Sequence, residues 1–129
     1  MNLGSEDATA EAEAKLAAIG RSQAVIEFKL DGTIISANEN FLQATGYAAA
    51  EVEGRHHSMF VEPELARSHE YRLCWDRLAR GEYVSDKFKR VAKGGREIWI
   101  RASYNPLMGA DGRPYKIMKF ASDITEQER

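Results

Sequence analysis

The side chains best suited to chemistry sit together in the stretch Glu53-Gly54-Arg55-His56-His57-Ser58-Met59-Phe60. Histidine is the commonest side-chain metal ligand, and its ordinary pKa lies close to neutral pH. Adjacent His56 and His57 could therefore hold haem iron, bond another ligand, or close a loop through the backbone. Arg55 beside them could offer charged hydrogen bonds to an anionic group. Asn38 opens a short helical stretch, where asparagine is a favoured N-cap. Trp75 falls on the apolar side of a helical stretch, and its ring could stack on a flat ligand while its N–H seeks a partner. Trp99 lies in a strand-like run beside Arg101, where packing or a subunit contact is the better reading. Cys74 is the one cysteine, which excludes an internal disulfide and a cysteine-based zinc site; it reads as a small packing residue.

Hydrolytic and nucleotide chemistry find no support. The sequence has no G-x-S-x-G, H-E-x-x-H, C-x-x-C, phosphate-binding loop or EF-hand pattern. The third histidine, His69, has no serine or cysteine nucleophile motif near it, and the carboxylates are scattered along helix faces and turns. The chain is not expected to be an enzyme.

The elements that must position these residues follow from propensity and periodicity. Residues 6–19, rich in Ala, Glu and Lys, read as a helix with Gly20 as its C-terminal cap and a thin apolar stripe at Leu16 and Ile19. Strands are expected at 24–29 and 33–37, flanking Asp31-Gly32, a strong hairpin signal. Asn38 starts a short helix that Gly46 stops, and a further helical turn or two ends at Gly54. The spacing of Leu65, Ser68, Tyr71, Trp75 and Leu78 predicts one helix over 64–79, ended by Gly81. Two long strands joined at Gly94-Gly95 come next, with Ile98, Ile100, Ala102 and Tyr104 on one face of the second. A turn at Gly109–Pro114 leads to a last strand in which Ile117, Lys119 and Ala121 alternate with Met118, Phe120 and Ser122. The expected architecture is α+β: a five-stranded antiparallel sheet, short helices and one longer helix across one face, and an N-terminal helix.

At 129 residues, 43% of them hydrophobic and 29% charged, the chain has the size and composition of one globular domain. Its formal charge of −2, from 18 Lys+Arg against 20 Asp+Glu, gives no reason to expect nucleic acid or an anionic membrane as partner. The apolar runs are too short to insert in a bilayer. The acidic start, Met-Asn-Leu-Gly-Ser-Glu-Asp, is unlike a signal peptide, so a cytoplasmic location is expected.

The order of elements resembles a PAS domain over residues 22–126. Three local matches carry the likeness: "DGTIISANENFLQATGY", with Asn38, Phe41, Gly46 and Tyr47; "KGGREIWIRASYNPLMGADGRP"; and "DIT" at Asp123, Ile124 and Thr125. "GRHHSMFVEP", "SHEY" and "ASYNP" are similar to the PAS modules of cytoplasmic methyl-accepting chemotaxis receptors of the aerotaxis type. The resemblance implies a sensor in two parts, an N-terminal helical cap over 1–21 that serves as a dimerisation element and a sensor domain over 22–129. It also implies a downstream signalling domain in the same receptor. The implied cofactor is FAD, reporting redox state or oxygen, held by Asn38, Arg55, His56, His57 and Trp75, with Asn38 and Trp75 beside the isoalloxazine. Two alternatives stay open: b-type haem with His56 or His57 as axial ligand, and a cofactor-free dimerisation and relay module. Val61-Glu62 stands where the flavin relatives carry Arg-His, and Phe120-Ala121 where the haem relatives place a Trp.

Overall fold

A computed structural model of the chain describes residues 3–128. Met1 and Asn2, which belong to the acidic start and the expected 1–21 cap, and Arg129 at the end of the expected 22–129 domain, lie outside the described residues.

The chain begins with helix α1 (Leu3–Ser22). The expected stop at Gly20 is passed: α1 continues to Ser22, and the Ser22 hydroxyl and Gln23 N–H then bond the Ile19 carbonyl. Gly20 serves instead as a landing place. Its carbonyl accepts from both Asn38 Nδ2 at 3.2 Å and Asn40 Nδ2 at 2.7 Å.

Strands β1 (Ala24–Phe28) and β2 (Ile34–Ala37) form the expected hairpin. Gly32 at its tip has φ +93°, where a side chain would be strained, and Asp31 Oδ1 accepts the Thr33 N–H at 2.9 Å. Helices α2 (Glu39–Thr45) and α3 (Ala49–Val52) follow, with Gly46 closing α2 in the left-handed region. A 3₁₀ turn at His57–Phe60 carries the second histidine.

The predicted helix over 64–79 is two helices, α4 (Pro63–Ala66) and α5 (His69–Ala79). Ser68 breaks it. Extended at ψ 156°, it turns its hydroxyl back to accept the Tyr71 N–H and so caps α5. Strands β3 (Val84–Val91), β4 (Glu97–Met108) and β5 (Pro114–Asp123) complete the sheet, and α6 (Thr125–Glu128) ends the chain.

The five strands are antiparallel in the order β2-β1-β5-β4-β3. Pairing of β1 with β5 puts the first and last strands at the centre, so the helices between β2 and β3 must cross one face of the sheet. On that inner face Ile26, Phe28, Ile98, Ile100, Ala102, Tyr104, Ile117 and Ala121 pack against Phe41, Val52, Phe60, Trp75 and Leu78 from the helical segment. The expected alternation on β4 and β5 is observed, and it carries a charged side chain, Lys119, into this apolar layer.

Candidate functional site

His56 and His57 part company at the 3₁₀ turn. His56 is its N-cap: the ring Nδ1 accepts the Ser58 N–H at 3.0 Å. That leaves the ring proton on Nε2, which donates to the Asp31 carbonyl at 2.7 Å. The imidazole thus folds over the hairpin tip, where a Cβ on Gly32 would come within 2.6 Å of Nε2. The next residue points the opposite way. His57 is 1% exposed, and its N–H donates to the Gly32 carbonyl at 2.9 Å while its ring enters the core.

Inside, both His57 nitrogens meet phenols: Nδ1 lies 2.7 Å from the Tyr71 hydroxyl and Nε2 lies 2.9 Å from that of Tyr104. Arg90 Nη2 donates to the Tyr104 oxygen at 3.1 Å. With that lone pair taken, we assign the Tyr104 proton to His57 Nε2 and the imidazole proton to Nδ1, donating to Tyr71. Burial, reinforced by the nearby Lys119 and Arg90 charges, holds His57 well below its ordinary pKa, so it is neutral. Burial also pushes the Tyr71 phenol up to about 12. For Tyr104 burial acts the same way, but the Lys119 and Arg90 charges outweigh it and bring the phenol down.

Those two cations are the unusual feature. Arg90 on β3 is 7% exposed and Lys119 on β5 is 1% exposed, and no carboxylate among the described residues forms an ion pair with either. Lysine and arginine are seldom buried without an acidic partner. The Lys119 ammonium sits 4.9 Å from the Tyr104 ring centroid and 5.8 Å from that of Phe41, and the Arg90 guanidinium lies 4.5 Å from the Phe88 centroid. Aromatic faces therefore supply part of the missing negative potential. The remainder is unmet: Arg90 Nε is buried with no hydrogen-bond partner. Burial, only partly offset by Tyr104, lowers the Lys119 pKa. Both cations line a cavity of about 20 Å³ with Phe41, Thr45, Phe60 and Ile100, and Ser122 and Asp123 also line it.

The other residues singled out from sequence are spent elsewhere. Asn38 is a structural hub: Oδ1 accepts from the Phe41 and Val25 N–H groups at 3.0 and 2.9 Å, and Nδ2 donates to the Gly20 and Gln23 carbonyls. It lines a groove between α1 and the outer sheet face, away from the cation cavity. Arg55 is exposed, and its carbonyl accepts the Ile34 N–H at 2.7 Å. Trp75 is buried edge-on to Phe28 and His57, with centroids at 5.4 and 5.3 Å. Its outer side, with His56 and Tyr71, borders a shallow groove between the hairpin tip and α5. Trp99 is half-buried and enters through its backbone. Cys74 is half-buried, and burial raises its thiol pKa.

Sequence reasoning missed Arg90, Lys119, Tyr104 and Tyr71 as site residues. The signal was present for two of them: Lys119 between Ile117 and Ala121, and Arg90 between Phe88 and Ala92, are charges on apolar faces of strands.

The fit to the expected cofactors can be judged directly. The core leaves space for about one water-sized group, too little for an isoalloxazine or a porphyrin, and the rings of Phe28, His57, Phe60, Trp75 and Tyr104 interlock beside it. All four ring nitrogens of His56 and His57 are engaged, leaving none for iron. The residues as packed do not fit FAD or haem.

The model of the PAS fold family matches residues 34–121. The chain is 47% identical over 119 residues to the biofilm dispersion protein BdlA of Pseudomonas aeruginosa, covering 92% of this chain and 28% of that protein. It is 29% identical over 99 residues to the aerotaxis receptor of Escherichia coli, covering 77% and 19% respectively. Among solved structures, an RNA-binding light-oxygen-voltage receptor superposes with a TM-score of 0.77 at 26% identity, over 92% of this chain and 34% of that one. A PAS domain from Colwellia psychrerythraea gives the same TM-score at 19% identity, over 89% and 98%, a likeness of fold. The chain spans less than a third of the length of the curated relatives it matches.

Proposed function

Since the chain belongs to the PAS family, we propose that it is the signal-sensing module of a chemotaxis-type receptor, with the buried His57–Tyr104–Arg90–Lys119 cluster as the sensing site and the Asp123-Ile124-Thr125 segment as its outlet. One observation carries this reading: the sensing strands are also the output strands. Tyr104 and Lys119 are directly opposed across β4 and β5, and four residues beyond Lys119 the strand ends at Asp123, which also lines the cation cavity. Asp123 Oδ1 accepts both the Thr125 N–H at 2.9 Å and its hydroxyl at 2.6 Å. The Thr125 oxygen in turn accepts the Trp99 N–H, and the Ile124 N–H donates to the Trp99 carbonyl. A change in the charge or packing of the cluster shifts β5 against β4 and so reaches this latch without a long route.

In the intact receptor, Thr125→Val removes the hydroxyl that joins Asp123 to Trp99. Cells carrying it are expected to lose their response to a stimulus gradient while the module stays folded; an unchanged response would contradict the outlet assigned here.

FAD, the cofactor that the family resemblance implies, is the competing reading, and the likeness to the aerotaxis receptor favours it. It requires the aromatic core to open. The absorption spectrum of purified protein separates the two: colourless protein after incubation with FAD and with haem agrees with the closed core. Flavin bands or a Soret band that remain after gel filtration would overturn it. We further propose that α1, with Leu16 exposed along its thin apolar stripe, pairs with a second copy.

A further inference from the structure

We propose that the Arg90–Lys119 pair binds the acid group of a short monocarboxylate, of formate or acetate size, beside Phe41, Phe60 and Ile100. The inference rests on reading this core as a sensory site and supplies the chemistry of its ligand.

Three independent features converge. The first is charge: two cations line one cavity, each more than nine-tenths buried and neither in an ion pair among the described residues. Burying a charge is costly unless an opposite charge or full hydrogen bonding compensates it. Ring faces and one phenol oxygen go part of the way here.

The second is hydrogen bonding. Arg90 Nη1 donates to the Lys89 carbonyl and Nη2 to Tyr104, while the buried Nε–H has no acceptor. Lysine has three donors, and Lys119 sits among groups that offer it little beyond aromatic faces and the Tyr104 oxygen. A carboxylate, which only accepts, matches what is left over; another cation or a hydrogen-bond donor would not.

The third is shape. The space of about 20 Å³ admits one small head group and not a ring system, and its walls are largely apolar, with Phe41, Phe60, Ile98 and Ile100 among them. Phosphate or a dicarboxylate needs more room than this space gives. The lining holds one carboxylate, Asp123, already engaged by Thr125. An acid bound in the cavity places like charge near the outlet latch, and this gives its arrival a way to be felt by the C-terminal segment.

The test uses the whole chain with sodium formate, acetate and propionate as probes, and with sodium chloride and acetamide as controls at matched ionic strength. Calorimetry is expected to show saturable binding of one or more of the acids, with a matching rise in Tm and no response to acetamide. Lys119→Met, which removes a buried charge, is expected to melt at or above the wild-type Tm without ligand and to bind the acid at least about tenfold more weakly. Should that variant fail to fold, Arg90→Met is read the same way. Absence of binding heat with all three acids would overturn the site. So would equal binding by the methionine variant, or a rise in Tm that chloride reproduces. Binding that leaves the amide exchange of Ile124 and Thr125 unchanged would keep the site and overturn the relay reading instead.

Discussion

At the scale of single residues, His57 decides how the core meets acid. Its ring is enclosed by Tyr71, Tyr104, Phe28, Phe60 and Trp75, and the charges facing it are the cations Arg90 and Lys119. Above its ordinary pKa of 6.5 the histidine is neutral both folded and unfolded, so it adds no pH dependence. Below 6.5 the unfolded chain takes up a proton that the folded core refuses, and stability falls as pH falls toward the depressed folded pKa. The slope attributable to this one group is at most about 1.4 kcal/mol per pH unit. Urea unfolding of wild type and His57→Gln from pH 7.5 to 4.5 should therefore give curves whose difference changes below pH 6.5 and is flat above it; parallel curves throughout would contradict a neutral buried His57. Tyr104→Phe should cost about 1–3 kcal/mol, because it leaves His57 Nε2 and Arg90 Nη2 buried without that partner. The sequence announced the histidine pair but not its division of labour. That division comes from the hairpin tip, whose Asp31 carbonyl claims His56 and so turns His57 inward.

At the scale of elements, caps do much of the positioning. Asn38 joins the start of α2 to the end of α1 and to β1 through five hydrogen bonds when its backbone N–H to the Val25 carbonyl is included. Asn38→Ala is expected to destabilise by at least about 2 kcal/mol, the upper end for a lost N-cap, since the tether to α1 goes with it. Ser68→Ala should cost about 1 kcal/mol from the loss of the α5 cap. Chemical denaturation measures both. The hairpin, the short helices and both faces of β4 were legible because turn residues and period-two alternation mark them locally. The break at Ser68 was not: Leu65, Ser68, Tyr71 and Trp75 keep helical spacing across it, and a serine mid-helix and a serine at a cap look alike in sequence. Gly20 misled for a similar reason. A Cβ there would meet Asn38 Nδ2 at 3.4 Å, an ordinary contact, and the glycine keeps its place in the helix rather than stopping it.

At the scale of the whole molecule, the antiparallel five-stranded sheet and its family were readable, while the composition of the site was not. Pairing of β1 with β5 joins residues nearly a hundred positions apart and brings Lys119 under Phe41, while pairing of β4 with β5 sets it beside Tyr104. The ligand region inferred from family likeness lay around Asn38, Arg55, Trp75 and the histidines; the folded chain also gathers Arg90, Tyr104 and Lys119 from three strands, a cluster that the sequence did not point to. Helix α1 stands mostly exposed, so removing residues 1–20 should lower Tm only modestly, and sedimentation is expected to show a dimer that becomes a monomer on truncation. A monomer before and after would remove the dimer from the account.

The most direct measurement is amide hydrogen exchange at Ile124 and Thr125 in wild type, Tyr104→Phe and Ser68→Ala, each corrected for its global stability. Those amides donate to the Trp99 carbonyl and to Asp123, so they report the latch itself. If the buried cluster drives the outlet, Tyr104→Phe speeds their exchange beyond the global loss of stability and Ser68→Ala does not. Identical corrected rates in all three proteins would contradict the coupling on which the proposed function stands.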